Sequence, residues 1–151
     1  MRYEMRVFIH RPIEEVWAFL ADLFNTPRLR GMTLAARQTS PGPIGLGATV
    51  EVHALVLGFE TGWSGAITEW DPPDAMTVSV TKSRARSGFV RQTLEASPDG
   101  TKVTRTIELE LGLPMKLVWI FGGPFLKRRW DASTRNLKRL VENWPQPRQE
   151  A

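Results

Sequence analysis

The sequence predicts an α+β fold: a curved, seven-stranded antiparallel sheet wrapped around a long C-terminal helix, with two short helices between strands 1 and 2. Three observations carry this reading. Apolar and polar residues alternate in short runs as far as Leu113, the period of half-buried strands. Gly, Pro, Asp and Ser clusters separate the later runs at intervals of roughly 8 to 14 residues, too short for the crossovers that parallel strands need. The final stretch switches to helical spacing, and one long amphipathic helix has to bury its stripe against the sheet.

The elements follow in order. Tyr3, Met5, Val7 and Ile9 alternate with Glu4, Arg6 and Phe8, which makes the first strand half-buried. Pro12 stops it and opens a short helix, with Glu14 and Glu15 in the first turn and Ile13, Val16, Trp17 and Leu20 on one face. A second short helix is expected from Asn25 as N-cap, with Pro27 just inside it, to about Gly31. From Thr33 onward, breaks at Pro41 to Gly47, Gly58, Asp71 to Asp74, Arg86 to Gly88 and Ser97 to Gly100 delimit six more strands. Leu126, Trp130, Ser133, Leu137, Leu140 and Trp144 then share one helical face. A helix from Pro124 to Trp144, ended by Pro145 and Pro147, would be roughly 31 Å long. Residues 145–151 are expected to form a disordered tail on a single domain spanning 1–151.

Composition narrows the chemistry. With 42% hydrophobic and 24% charged residues, 151 residues are enough for one core without disulfides or a structural metal. The absence of cysteine excludes thiol nucleophiles and thiolate metal sites, and it suits a cytoplasmic setting. His10, His53 and Tyr3 are the only His and Tyr side chains. No metal or cofactor is expected, and no G-x-S-x-G nucleophile motif occurs. The N terminus lacks the apolar run of a secretory signal. Leu117 to Leu126, broken by Gly122, Gly123 and Pro124, is about half the length of a membrane span. Net charge is +4, and between Lys116 and Glu142 seven bases face two acids, so the surplus belongs to one helix.

The segments VFIHRPIEEVWAFLAD, PGPIGLGATVEV, ITEWDPP, DGTKVT and NLKRLVE, in this order over nearly the whole chain, resemble the polyketide cyclase/dehydrase and lipid-transport branch of the START-like (Bet v 1-like, SRPBCC) superfamily. The resemblance implies a helix-grip fold with a cavity between sheet and C-terminal helix that holds hydrophobic small molecules. None of these motifs is catalytic.

Hairpin arithmetic assigns the inner face. A loop at Ser97 to Gly100 pairs Leu94 with Val103, Gln92 with Arg105 and Val90 with Ile107, so Arg105 is a charge on an apolar face. A turn at Leu57 and Gly58 pairs Val56 with Phe59 and Val52 with Trp63, putting Val50, Val52, Ala54, Val56, Phe59, Trp63 and Ile67 on one face and His53 on the other. His10 also falls in the outward phase. Trp70, apolar but out of phase with Trp63, signals a bulge. The expected ligand-binding set is Val52, Trp63, Ile67, Val78, Val90, Gln92, Arg105, Ile107, Phe121, Leu126, Trp130 and Ser133. Arg105 and Gln92 are the catalytic candidates.

Arg105 in such a face needs a partner, since an isolated buried guanidinium is costly. The expectation is an internal ion pair, with Glu69 or with Asp131 of the helix. Clamping a ligand carboxylate and polarising a carbonyl are the alternatives. Trp63 and Trp130 either stack on a flat ligand or pack as core. Leu117 to Leu126 is read as a gate, a homodimer contact, a membrane-touching segment or the buried start of the helix. Three functions follow. The first is binding of a hydrophobic small molecule, lipid-like or polycyclic aromatic, with or without an acidic group. The second is aldol cyclisation or dehydration in the same cavity, with Arg105 polarising a carbonyl and Gln92 or a water moving protons. The third is peripheral membrane or nucleic-acid association through the basic helix, with nucleic acid disfavoured because no groove-reading motif accompanies it.

Overall fold

A computed structural model describes residues 1–29, 33–56, 58–83, 85 and 87–143. Strand β1 (Arg2–Ile9) leads through Pro12 into α1 (Ile13–Ala21) and a 3-10 helix, η1 (Leu23–Leu29). Six strands follow: β2 (Thr33–Gln38), β3 (Thr49–Val56), β4 (Phe59–Asp71), β5 (Ala75–Lys82), β6 (Ser87–Ser97) and β7 (Gly100–Glu110). Helix α2 (Leu113–Glu142) is the last described element. All strand pairs are antiparallel in one sheet ordered β1-β7-β6-β5-β4-β3-β2, so the first two strands form its two edges and the short helices bridge between them. This is the expected helix-grip fold.

Both anticipated hairpins have the expected register: Val90 faces Ile107, Gln92 faces Arg105, Val52 faces Trp63 and Val56 faces Phe59. Gly58, with φ of 83°, supplies the left-handed residue the tight β3–β4 turn requires, and its neighbour Leu57 lies outside the described residues. Phe59 is nevertheless 73% exposed, because the hairpin tip extends past the cover of the helices.

Three expectations need correction. The second short helix begins at Leu23, two residues before Asn25. Asn25 does not cap it; it is buried, with Nδ2 donating to the Phe19 carbonyl at 2.9 Å. Gly31 lies outside the described residues. The long helix begins at Leu113 rather than Pro124, giving 30 residues and a length of about 45 Å. Gly122, Gly123 and Pro124, read as breakers, lie inside it. Pro124 gives up one backbone donor on an exposed face, where the freed carbonyl can meet water. Trp144, Pro145, Pro147 and the expected tail 145–151 lie outside the described residues.

The core sits at one end of the grip. Ile9, Val16, Val103 and Leu137 are buried with Trp17, Phe19, Leu20, Leu29, Met76, Leu94 and Val141. The second half of α2 is tied down there: Lys138 Nζ donates to the Phe8 carbonyl at 2.8 Å, Asn136 Nδ2 to the Leu29 carbonyl at 2.8 Å, and the Arg11 guanidinium to the Glu142 carbonyl.

The sheet curves at β4 and β5. Ser64 pairs with Lys82 but Gly65 with Val80, and Ile67 pairs with Val78 but Glu69 with Thr77, so Thr81 and Thr68 are extra residues that bend the ladder. At this bend a Cβ on Gly65 would lie 2.8 Å from the Trp63 ring, 2.9 Å from the Ser79 carbonyl oxygen and 2.9 Å from Val78 Cγ1. Gly65→Ala is therefore expected to lower stability by about 1–3 kcal/mol through overpacking, read from urea unfolding. An unchanged midpoint would show that the bend does not depend on this glycine.

Candidate functional site

The inner face is built as the alternation requires. Val52, Ile67 and Ile107 are buried, and Trp63, Val78, Val90 and Gln92 are half-buried. Leu126 and Ser133 of α2 are buried, and Trp130 is half-buried. Phe121 departs from the expected set. It is 85% exposed and points away from the sheet, because Gly122, Gly123 and Leu126 form the inward face of that part of the helix. The stretch is the start of α2, but an exposed one, which corrects the reading of a buried helix start.

Arg105 is the centre of the site. It stands opposite Gln92 on β6 and Met5 on β1, and its Nη1 donates to Ser133 Oγ and Thr134 Oγ1 of α2, each at 3.2 Å. The Thr134 hydroxyl donates in turn to the Trp130 carbonyl at 3.0 Å. The residue keeps a little accessible surface, but Nε is wholly enclosed and has no partner among the described residues. Burial alone pushes its pKa down from the ordinary arginine value to about 10, so the guanidinium is still a cation at neutral pH.

The expected ion pair is absent among the described residues. Glu69 is turned to the outer face by the extra residue at Thr68, where Oε1 accepts from Arg91 Nε at 2.9 Å and from Thr77 Oγ1 at 2.8 Å. The Arg91 hydrogen bond is the main reason its carboxyl is held below its ordinary pKa. The same bulge swings Trp70 inward, edge-on to Trp17 at 5.0 Å. Asp131 accepts instead from the Tyr3 hydroxyl at 2.7 Å. Arg105 is thus held by two neutral hydroxyls, and among the described residues no carboxylate balances it.

Beside Arg105 lies an interior cavity of about 30 Å³, lined by Arg105, Gln92, Phe19, Leu20, Asn25 and Leu29. That volume suits about one water molecule. Of the expected ligand-binding set, only Arg105 and Gln92 reach it. The other four residues come from α1 and η1, which strand arithmetic does not place; Asn25, read from the sequence as a helix cap, is the polar one among them. Gln92 Nε2 lies 3.9 Å from Met76 Sδ, and its buried Oε1 has no partner among the described residues. Two residues that line the cavity thus each hold an enclosed polar atom with no partner among the described residues, a donor at Arg105 Nε and an acceptor at Gln92 Oε1.

His53 and His10 are both exposed, as expected, and His53 Nε2 lies 3.0 Å from Glu51 Oε1 on the outer face. A wider groove of about 350 Å³ near this histidine is lined by Leu34, His53, Glu60, Thr61 and Gly62 and shares no residue with the Arg105 cavity. Among the described residues, no three His, Asp or Glu side chains group as metal ligands.

Residues 1–142 match the family model described as polyketide cyclase/dehydrase and lipid transport. No curated protein matches the sequence. Among solved structures, TTHA0849 from Thermus thermophilus is similar at 16% identity and TM-score 0.79, covering 93% of this chain and 97% of that one. The ZhuI aromatase/cyclase from a Streptomyces species, R1128, is similar at 14% identity and TM-score 0.75, covering 94% and 93%. The major latex-like protein 151 from Panax ginseng is similar at 14% identity and TM-score 0.67, covering 92% and 95%. At these identities the likeness is one of fold.

The Tyr3–Asp131 contact makes a direct prediction. Burial first, then the Asp131 hydrogen bond and charge, raise the Tyr3 pKa from 10.0 to about 12. Because Tyr3 is the only tyrosine, ultraviolet absorbance titration reads it alone. The expected midpoint is about 12, falling toward 10.0 in Asp131→Asn. The neutral phenol stabilises the fold below pH 10.0, and that contribution is lost as pH rises through about 12. A wild-type midpoint near 10.0 would contradict the contact.

Proposed function

The chain belongs to the polyketide cyclase/dehydrase and lipid-transport family, and from that premise we propose that it binds a hydrophobic small molecule bearing a carboxylate or a polarised carbonyl oxygen, received by Arg105. One observation carries the reading: a buried guanidinium beside a cavity that has, among the described residues, no carboxylate partner and no acceptor for its Nε–H. A buried cation of this kind is expensive to the ligand-free fold, on the order of 3 kcal/mol from the depression of its pKa. An incoming anion would supply the missing counter-charge. The unpaired Gln92 Oε1 would accept from a hydroxyl on the same ligand.

Pockets for such ligands are commonly about 300–1,000 Å³, so occupancy requires the cavity at Arg105 to widen. The cavity lies between Phe19 and Leu20 of α1 and Asn25 and Leu29 of η1 on one side and Gln92 and Arg105 of the sheet on the other, so widening it would require the short helices to shift from the sheet they pack on. Trp63 and Trp130, on the inner face, would then contact the apolar body.

Cyclisation or dehydration in the same cavity is the alternative. It would rest on Arg105 stabilising a developing enolate oxygen and on Gln92 or a water handling the proton. Loss of turnover on a cyclisable polyketide in Arg105→Met and Gln92→Leu would support it, and retention in both would remove these residues from the chemistry.

The binding reading predicts opposite effects of one substitution. Arg105→Met should stabilise the ligand-free protein by about 1–4 kcal/mol while weakening a long-chain or polycyclic carboxylic acid about ten- to a hundredfold, with the methyl ester little affected. The stability gap between wild type and variant should narrow as pH rises above about 10, where the folded wild-type guanidinium gives up its proton before the unfolded one does. Thermal unfolding and tryptophan fluorescence titration measure both. If wild type binds neither acid nor ester, or the variant binds the acid as tightly, the reading fails.

A further inference from the structure

The first half of α2 presents an apolar face that the described residues leave exposed. Leu113, Leu117, Ile120 and Pro124 follow one another at spacings of four, three and four, and Phe121 and Phe125 lie beside them. Phe121 is 85% exposed, Leu113 73%, Ile120 66%, Phe125 52% and Leu117 51%. The helix is not turned the wrong way, because Gly122, Gly123 and Leu126 on its opposite side are buried. Five large apolar side chains therefore meet solvent on one surface, well beyond the scattered exposure a soluble domain shows.

Charge decides what covers it. Lys116, Lys127 and Arg128 are exposed on the same stretch, and no acidic residue occurs from Leu113 to Trp130. Lys127 bends over the rings of Tyr3 and Trp119, at 5.5 and 5.6 Å, so its ammonium borders the apolar face. A second copy of this chain would set these cations against themselves, since a twofold contact joins like patches. Nucleic acid would meet the cations but leave Leu117, Ile120 and Phe121 without an apolar partner. A surface with anionic groups above a hydrocarbon interior satisfies both halves.

We propose that the Leu113–Phe125 face of α2 docks on anionic lipid bilayers, lying in the interface with its aliphatic and phenyl side chains inserted and its cations among the headgroups. No described helix is long and apolar enough to cross the membrane, so this is contact with one leaflet. It places the association on the first half of the helix. Lys138, by contrast, is engaged with Glu142 and the Phe8 carbonyl. The assignment does not depend on what the interior binds.

Co-sedimentation of the full chain with phosphatidylcholine vesicles, with and without phosphatidylglycerol, at low and high salt, tests it. Wild type should pellet with the anionic vesicles at low salt and largely remain in solution with pure phosphatidylcholine or at high salt. The pair Ile120→Glu and Phe121→Glu should weaken binding about tenfold or more, with circular dichroism and thermal midpoint unchanged because both side chains are already exposed. Lys127→Gln and Arg128→Gln, which leave the apolar face intact, should each cost about fivefold. Wild type remaining in the supernatant, or the glutamate pair pelleting like wild type, overturns the proposal. Sedimentation velocity supplies the remaining arm: a dimer that the glutamate pair dissolves, without vesicle binding by wild type, assigns the face to a second copy and also overturns it.

Discussion

A guanidinium shut inside the sheet with no described carboxylate to neutralise it is the constraint around which the rest of the molecule is arranged. Arg105 reaches α2 through Ser133 and Thr134, so the polar spots on an otherwise apolar helix face set that helix's rotation against β7. Nearby carboxylates are committed elsewhere: Glu69 to Arg91 across the outer face, Asp131 to Tyr3 at the sheet edge. The two hydroxyls solvate part of the cation, and Nε is left over. Replacing buried ions with apolar groups often stabilises a fold, so this partly solvated guanidinium is a cost that the packing around it has to carry.

Helix α2 divides at about the same place. Beyond Trp130 it is bonded to β1 and η1 through Lys138 and Asn136, and there the tight core excludes all but a small cavity. Before Trp130 its buried side consists of two glycines and a leucine, and its exposed side carries large apolar side chains bordered by Lys116, Lys127 and Arg128. One continuous helix thus joins a polar centre in the interior to an apolar face in solvent.

How much of this is legible in the sequence follows from the range of each interaction. The hairpin registers at Gly58 and Gly100 can be read to the residue, because a tight turn fixes pairing within a few positions on either side. Trp70 announces the β4 bulge by being apolar in the wrong phase, yet the same bulge reverses Glu69 and removes the ion pair expected for Arg105. A single inserted residue therefore changes the electrostatics of the site. Phe19, Asn25 and Leu29 cannot be foreseen as cavity walls, since the docking of short helices across a sheet is a long-range matter. The expected start of α2 falls too late because Gly-Gly-Pro reads as a break locally, whereas the packing of Gly122 and Gly123 carries the helix through. The inward expectation for Phe121 fails with it: once the helix runs unbroken through Gly122, Gly123 and Pro124, Phe121 stands five residues before Leu126, about 140° round the helix from the buried stripe.

The most direct test of the central claim is nitrogen and proton NMR of the Arg105 Nε–Hε group, assigned by its loss in Arg105→Met. A long-chain or polycyclic carboxylic acid that quenches the interior tryptophans should shift this resonance as the oxygen anion takes up the unpaired donor, while its methyl ester shifts it far less. An acid that binds, by the same fluorescence change, and leaves the Nε–Hε signal where it was would contradict the account.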